Sequence, residues 1–207
     1  HGPLLFLLDY QAQALYRLGR YDEALDLIER RQRRSSSVAT QMREAQVLLA
    51  AGHAPHARSV ALELGRTYGR NNGAVTVAAE TLAALGDTET ASAFLHTYLE
   101  YRPRDLLVTL ASISLTLQMA GRSDADEQLQ RLGAGIPAGI RDEELRRLQS
   151  LAEDLGRQQT AAAAALELER RRQQQLEQLN GDLRPFVGDE NVLAVDPERF
   201  YRLHNGP

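Results

Sequence analysis

The stretch that decides the fold is Leu15-Tyr16-Arg17-Leu18-Gly19-Arg20-Tyr21-Asp22-Glu23-Ala24-Leu25. An apolar helical run ends in a glycine, a few polar residues follow, and a second helical run begins. The glycine suits the left-handed conformation that closes a helix. Asp22 and Glu23 place negative charge in the first turn of the next helix, where the helix dipole favours it. Ala24 is small enough to let that helix pack closely against the one before it.

The same shape returns three times along the chain. Leu48-Leu49-Ala50-Ala51-Gly52 is followed by Ala57, and Leu82-Ala83-Ala84-Leu85-Gly86 by Ala91 and then Tyr101-Arg102-Pro103. Leu117-Gln118-Met119-Ala120-Gly121 is followed by Ala125. The glycines at 19, 52, 86 and 121 are 33, 34 and 35 residues apart. Ala24, Ala57 and Ala91 each lie five residues past their glycine, whereas Ala125 comes one residue early. A pair of helices this short cannot bury its apolar face alone; stacked pairs make a continuous core.

The pattern resembles the tetratricopeptide repeat (TPR), whose period is about 34 residues. Leu18 to Leu25 matches its inter-helix turn, and Pro103 matches the proline that closes a repeat. The resemblance covers about residues 4–135. Two features depart from it: Leu8, Gln41, Val75 and Leu110 stand where an aromatic residue is usual, and the first two repeats lack a closing proline. The fold class expected is all-α, a right-handed α-solenoid of about four TPR-like helix hairpins with a C-terminal helical cap or long helix. Three segments follow: a repeat array over 4–136, a helix or helical hairpin over 140–180, and a mostly irregular tail over 181–207.

The break falls at Gly133-Ala134-Gly135-Ile136-Pro137-Ala138-Gly139. Beyond it the chain is rich in good helix formers, with Asp142, Glu143 and Glu144 suited to a helix start. Leu145, Leu148, Ala152, Leu155, Ala162 and Leu166 keep a three-to-four spacing that could cap the array. Two readings stand for 141–180: one long helix pairing with a second copy as a coiled coil, or a hairpin of 141–155 and 159–180. The hairpin is preferred, because the apolar stripe thins beyond residue 168. The tail holds Asp196-Pro197-Glu198, which reads as the start of a short helix. Its apolar residues, Phe186 to Leu203, are expected to dock.

The TPR resemblance implies a groove lined by the first helix of each repeat. Registering on the glycines places Asp9, Gln13, Tyr16 and Arg17 there from the first repeat, and Met42, Gln46 and Leu49 from the second. Thr76 and Glu80 come from the third, and Leu115, Gln118 and Met119 from the fourth. Chaperone-binding TPRs clamp a terminal carboxylate with Lys, Asn and Arg. Here Asp9 and Gln13 take the first two clamp positions, so a helix or an extended peptide suits this groove better. The expected function is a non-catalytic protein-interaction scaffold with a protein or peptide ligand and no cofactor.

Composition narrows the alternatives. The 207 residues carry 28 acids against 24 basic residues, all of them arginine, for a net charge of -4. Cysteine, lysine and tryptophan are absent, which removes thiolate metal sites, Schiff-base chemistry and a P-loop lysine. Mean hydropathy is -0.39, and no apolar run reaches the ~18 residues of a membrane-spanning helix, so membrane insertion is not expected. Arg30, Arg31, Arg33 and Arg34 form the densest basic run and give the alternative reading, a regulatory module contacting nucleic acid or another anion. On an acidic chain that partner is disfavoured. His53 and His56 lack the further ligands a zinc site needs, so no metal is expected. His1-Gly2-Pro3 reads as the cut end of a longer chain or a cloning remnant. The arginine-only, cysteine-free composition suggests a bacterial source, with an envelope export or secretion assembly as one setting; the compartment stays open.

Overall fold

The structure, a computed structural model, describes residues 2–132 and 139–187, with side chains described for 7–132 and 139–179. Among the described residues there are ten helices and no strands. The chain divides into two compact units, His1–Ala134 and Gly135–Pro207.

The first unit contains α1 (Gly2–Arg17), α2 (Tyr21–Gln32), α3 (Val38–Ala50), α4 (Ala54–Thr67), α5 (Asn72–Ala84), α6 (Thr88–Tyr101), α7 (Leu106–Met119) and α8 (Arg122–Arg131). Each odd-numbered helix packs on the next even-numbered one as a hairpin. In addition α3 lies against α5, and α5 against α7. This is the stacking of an all-α solenoid, in which one row of helices runs along one face.

The turn glycines explain the hairpins. Gly19, Gly52, Gly86 and Gly121 have φ of 72°, 77°, 84° and 95°. In the first three turns the residue after the glycine donates its N–H five residues back: Arg20 to Leu15, His53 to Leu48 and Asp87 to Leu82, each at 2.9 Å. That bond caps the outgoing helix carbonyls. In the fourth turn Gly121 itself donates to Thr116 (3.2 Å) and is the N-cap of α8. The turn is one residue shorter, which is why Ala125 comes early. Ala24, Ala57, Ala91 and Ala125 are all fully buried, as close helix packing requires.

A Cβ built on Gly86 meets nothing within 4 Å, so an alanine there is penalised through the backbone alone. Gly86→Ala should cost about 1 kcal/mol of stability in urea unfolding, and Gly86→Asn clearly less, because asparagine tolerates the left-handed region.

A second repeat signal lies in the helix starts. Ser37, Asn71 and Asp105, spaced by 34 residues, cap α3, α5 and α7. Each side chain accepts a hydrogen bond from the backbone N–H three residues on, at 3.2, 2.9 and 3.2 Å. The main core runs from α3 to α7 around α5, whose residues 74–79, 81 and 82 are all buried. The aliphatic residues at the aromatic positions of the repeat, Leu8, Val75 and Leu110, are also buried.

The second unit contains α9 (Asp142–Asp154) and α10 (Gln158–Val187), packed together as a hairpin. Leu145, Leu148, Leu151, Ala152 and Leu155 of its first arm and turn are buried, as are Ala161 and Ala164 of α10. The expected stripe is corrected in its second half. Ala162 is exposed and Leu166 is 73% exposed, because the turn at Gly156 (φ 69°) shifts the helical phase. The helix also runs seven residues past the expected end at 180. A lone glycine such as Gly181 costs a helix only about 1 kcal/mol and does not stop it. Arg171 clasps the hairpin, donating to the Ile140 carbonyl (2.7 Å), Asp142 (2.9 Å) and Glu167 (2.8 Å). Hydrogen bonds from Arg170 and Arg171 pull the Glu167 carboxyl down to about 2. The short helix and docking contacts expected beyond residue 187 lie outside the described residues.

Candidate functional site

The odd-numbered helices of the first unit bring side chains from four hairpins into two neighbouring clefts. Tyr16 of α1, Gln46, Leu49 and Ala50 of α3, and Val77, Glu80 and Thr81 of α5 line the first, about 170 Å³ in volume. The second, about 100 Å³, is lined from α5 by Ala79, Glu80, Ala83 and Ala84, from α6 by Leu95, and from α7 by Ala111, Ser114, Leu115 and Gln118. Glu80 lies in the wall of both. The second cleft is floored mainly by methyl groups, so its shape fits an apolar side chain, and Gln118, Ser114 and Glu80 supply polar groups for orientation.

Of the residues assigned to the groove from the sequence, Tyr16, Gln46, Leu49, Glu80, Leu115 and Gln118 line these clefts. Tyr16 also packs its ring on Tyr21, 5.9 Å between centroids. Gln13 is half-buried, while Arg17 and Met119 are exposed on their helices and line neither cleft. Three further residues line neither cleft. Thr76 is buried, 1% exposed, with an unpartnered hydroxyl; Val77, one residue and 100° further round the helix, faces the cleft instead. Met42 is half-buried against the core at the start of α5, its methyl group 3.0 Å from the position a Gly73 Cβ would take. Asp9 is held by Arg31 of α2 at 3.2 Å.

That last contact joins the groove set to the basic run. Arg31 spends its charge on Asp9 and also donates to the Ser35 carbonyl, and Arg33 pairs with Glu29 at 2.5 Å. Hydrogen bonding to Glu29 raises the Arg33 pKa. Arg30 and Arg34 are exposed, so the run presents two cations rather than four. His53 and His56 are both exposed, at the start of α4. Among the described residues no three metal-ligating side chains come together, and no helix is long and apolar enough to cross a membrane.

Sequence reading missed the small residues of the second cleft, Ala79, Ala83, Ala111 and Ser114. It also missed a partly buried polar junction. Asp105 accepts from Tyr98 OH (2.9 Å) and Asn72 Nδ2 (3.0 Å) with one oxygen, and caps α7 with the other. Burial first, then the Asp105 carboxylate, push the Tyr98 phenol up to about 12. The 33-residue spacing of Asn72 and Asp105, close to the repeat period, was the available signal.

No protein-family model and no curated protein matches the chain. The structure does match the crystal structure of a thermophilic TPR protein of Thermus thermophilus. The TM-score is 0.59, at 21% sequence identity over 92% of this chain and 95% of that chain. The fold is that of a TPR protein. In TPR terms the clefts lie along the first helices of successive repeats, the row from which the groove residues were read.

Proposed function

We propose that the TPR-like array is a non-catalytic protein-interaction scaffold that takes a helical or extended peptide along its odd-numbered helices. The observation that carries this reading is the meeting of Tyr16, Gln46, Leu49, Glu80, Leu115 and Gln118, from four separate hairpins, in two adjoining clefts. A segment crossing both would set one apolar side chain on the alanine floor between α5 and α7. Composition supports the bacterial source, and the TPR resemblance suggests an envelope export or secretion assembly as one setting. The alternative through Arg30–Arg34 loses support from the pairing of Arg31 and Arg33. A homo-oligomer through 141–180 would have to use Leu166 and Leu179, since the leucines of α9 pack within the chain's own hairpin.

Selection of a displayed random-peptide library on the full chain tests the proposal. Enriched peptides should carry a large apolar anchor and compete with one another. They should lose binding to Gln46→Trp and Ser114→Trp, which fill the clefts from exposed positions. Peptides indifferent to both substitutions, or no enrichment at all, would overturn it.

A further inference from the structure

Away from the clefts, the turn between α6 and α7 gathers a second surface. Tyr101, the last residue of α6, is 55% exposed. The guanidinium carbon of Arg70 lies 5.0 Å from its ring centroid and that of Arg102 lies 5.7 Å away. Tyr101, Arg102, Pro103, Arg104 and Asp105 line an open depression of about 520 Å³.

The charge of this depression is not balanced from within. Arg20, Arg31, Arg33, Arg58 and Arg131 each face a carboxylate. Arg70, Arg102 and Arg104 face none among the described residues. Asp105 also lines the depression; its oxygens are engaged by neutral donors, Asn72, Tyr98 and the Val108 N–H, so its one negative charge stands against three cations. Glu100 lies 3.5 Å from His96.

We infer that this depression binds an acidic peptide segment, its carboxylates taken by Arg70, Arg102 and Arg104 and its aliphatic stems resting on Pro103. A guanidinium fork matches a carboxylate with two parallel hydrogen bonds. Stacking on Tyr101 already restrains two of the three forks, so less side-chain freedom is lost on binding. Nucleic acid fits less well. Each neutralised phosphate adds to affinity by counterion release, and three cations on an acidic chain supply little of it. Two guanidinium groups also crowd the Tyr101 ring, on which a base would have to stack.

Fluorescence anisotropy of the full chain with a labelled oligoglutamate peptide at low ionic strength, where exposed pairs are least screened, tests this. The peptide should bind, an oligoglutamine control should not, and added salt should weaken binding. Arg70→Gln with Arg104→Gln should weaken it by about fivefold while leaving the thermal midpoint unchanged. Arg70→Lys with Arg104→Lys should fall between, keeping the charge and losing the fork. Arg30→Gln with Arg34→Gln should change nothing. Absence of binding, an equal loss from the Arg30 and Arg34 substitutions, or tighter binding of an oligouridylate through Arg70 and Arg104 would overturn the inference.

Discussion

Replacing Asp105 with alanine is expected to lower the unfolding free energy of the first unit by about 3 kcal/mol. Loss of the α7 cap accounts for about 1 kcal/mol. The remainder comes from stripping two donors, Tyr98 OH and Asn72 Nδ2, of their charged acceptor. Ser37 caps α3 at the equivalent place and also bonds the buried Thr40 hydroxyl at 2.8 Å, but carries no charge, so Ser37→Ala should cost less, about 1–2 kcal/mol. Urea unfolding of the two variants measures the difference; equal losses would mean that the junction contributes nothing. The same junction gives a pH signature. The fold holds Tyr98 neutral, with its pKa pushed up to about 12. Its contribution is therefore whole below the ordinary tyrosine value of about 10 and is lost as pH rises from there through about 12. Tyr98→Phe should remove that decline, leaving only the decline due to other groups.

Leu82→Ala should destabilise the first unit by a comparable amount, about 3 kcal/mol. Leu82 is fully buried among the side chains of α3 to α7, in a core shared by three hairpins that has little room to collapse around a missing isobutyl group. Leu18, 70% exposed at the first turn, offers the comparison: Leu18→Ala should stay within about 0.5 kcal/mol. If the two variants unfolded at the same urea concentration, the stacked core would not be what holds the unit together.

Much of this architecture was legible in the chain. A glycine with positive φ must stand where a helix hairpin turns tightly, and a buried alanine where two helices touch, so the spacing of both reports the repeat directly. The groove was legible only to within a residue. Thr76 and Val77 differ by 100° around α5, and a register carried across repeats of 33, 34 and 35 residues cannot resolve that step. Asp9 and Arg31 illustrate a different limit: each was assigned to a separate binding surface, yet the packing of α1 on α2 brings the two charges together. The phase shift that exposes Leu166 came from the turn between α9 and α10, Leu155 to Arg157, whose geometry no apolar period records.

The three caps at Ser37, Asn71 and Asp105 also bear on how such a chain could change length. Each opens a segment whose first side chain accepts from the backbone N–H three positions ahead, so every period starts with its own helix cap. Inserting a copy of residues 71–104 ahead of Asp105 would repeat a whole period; Asn72 and Tyr98 of the copy would meet Asp105, while those of the original would meet the copied Asn71. Growth by such insertions preserves every turn already in place, and a taller array would gain a further cleft with each added module.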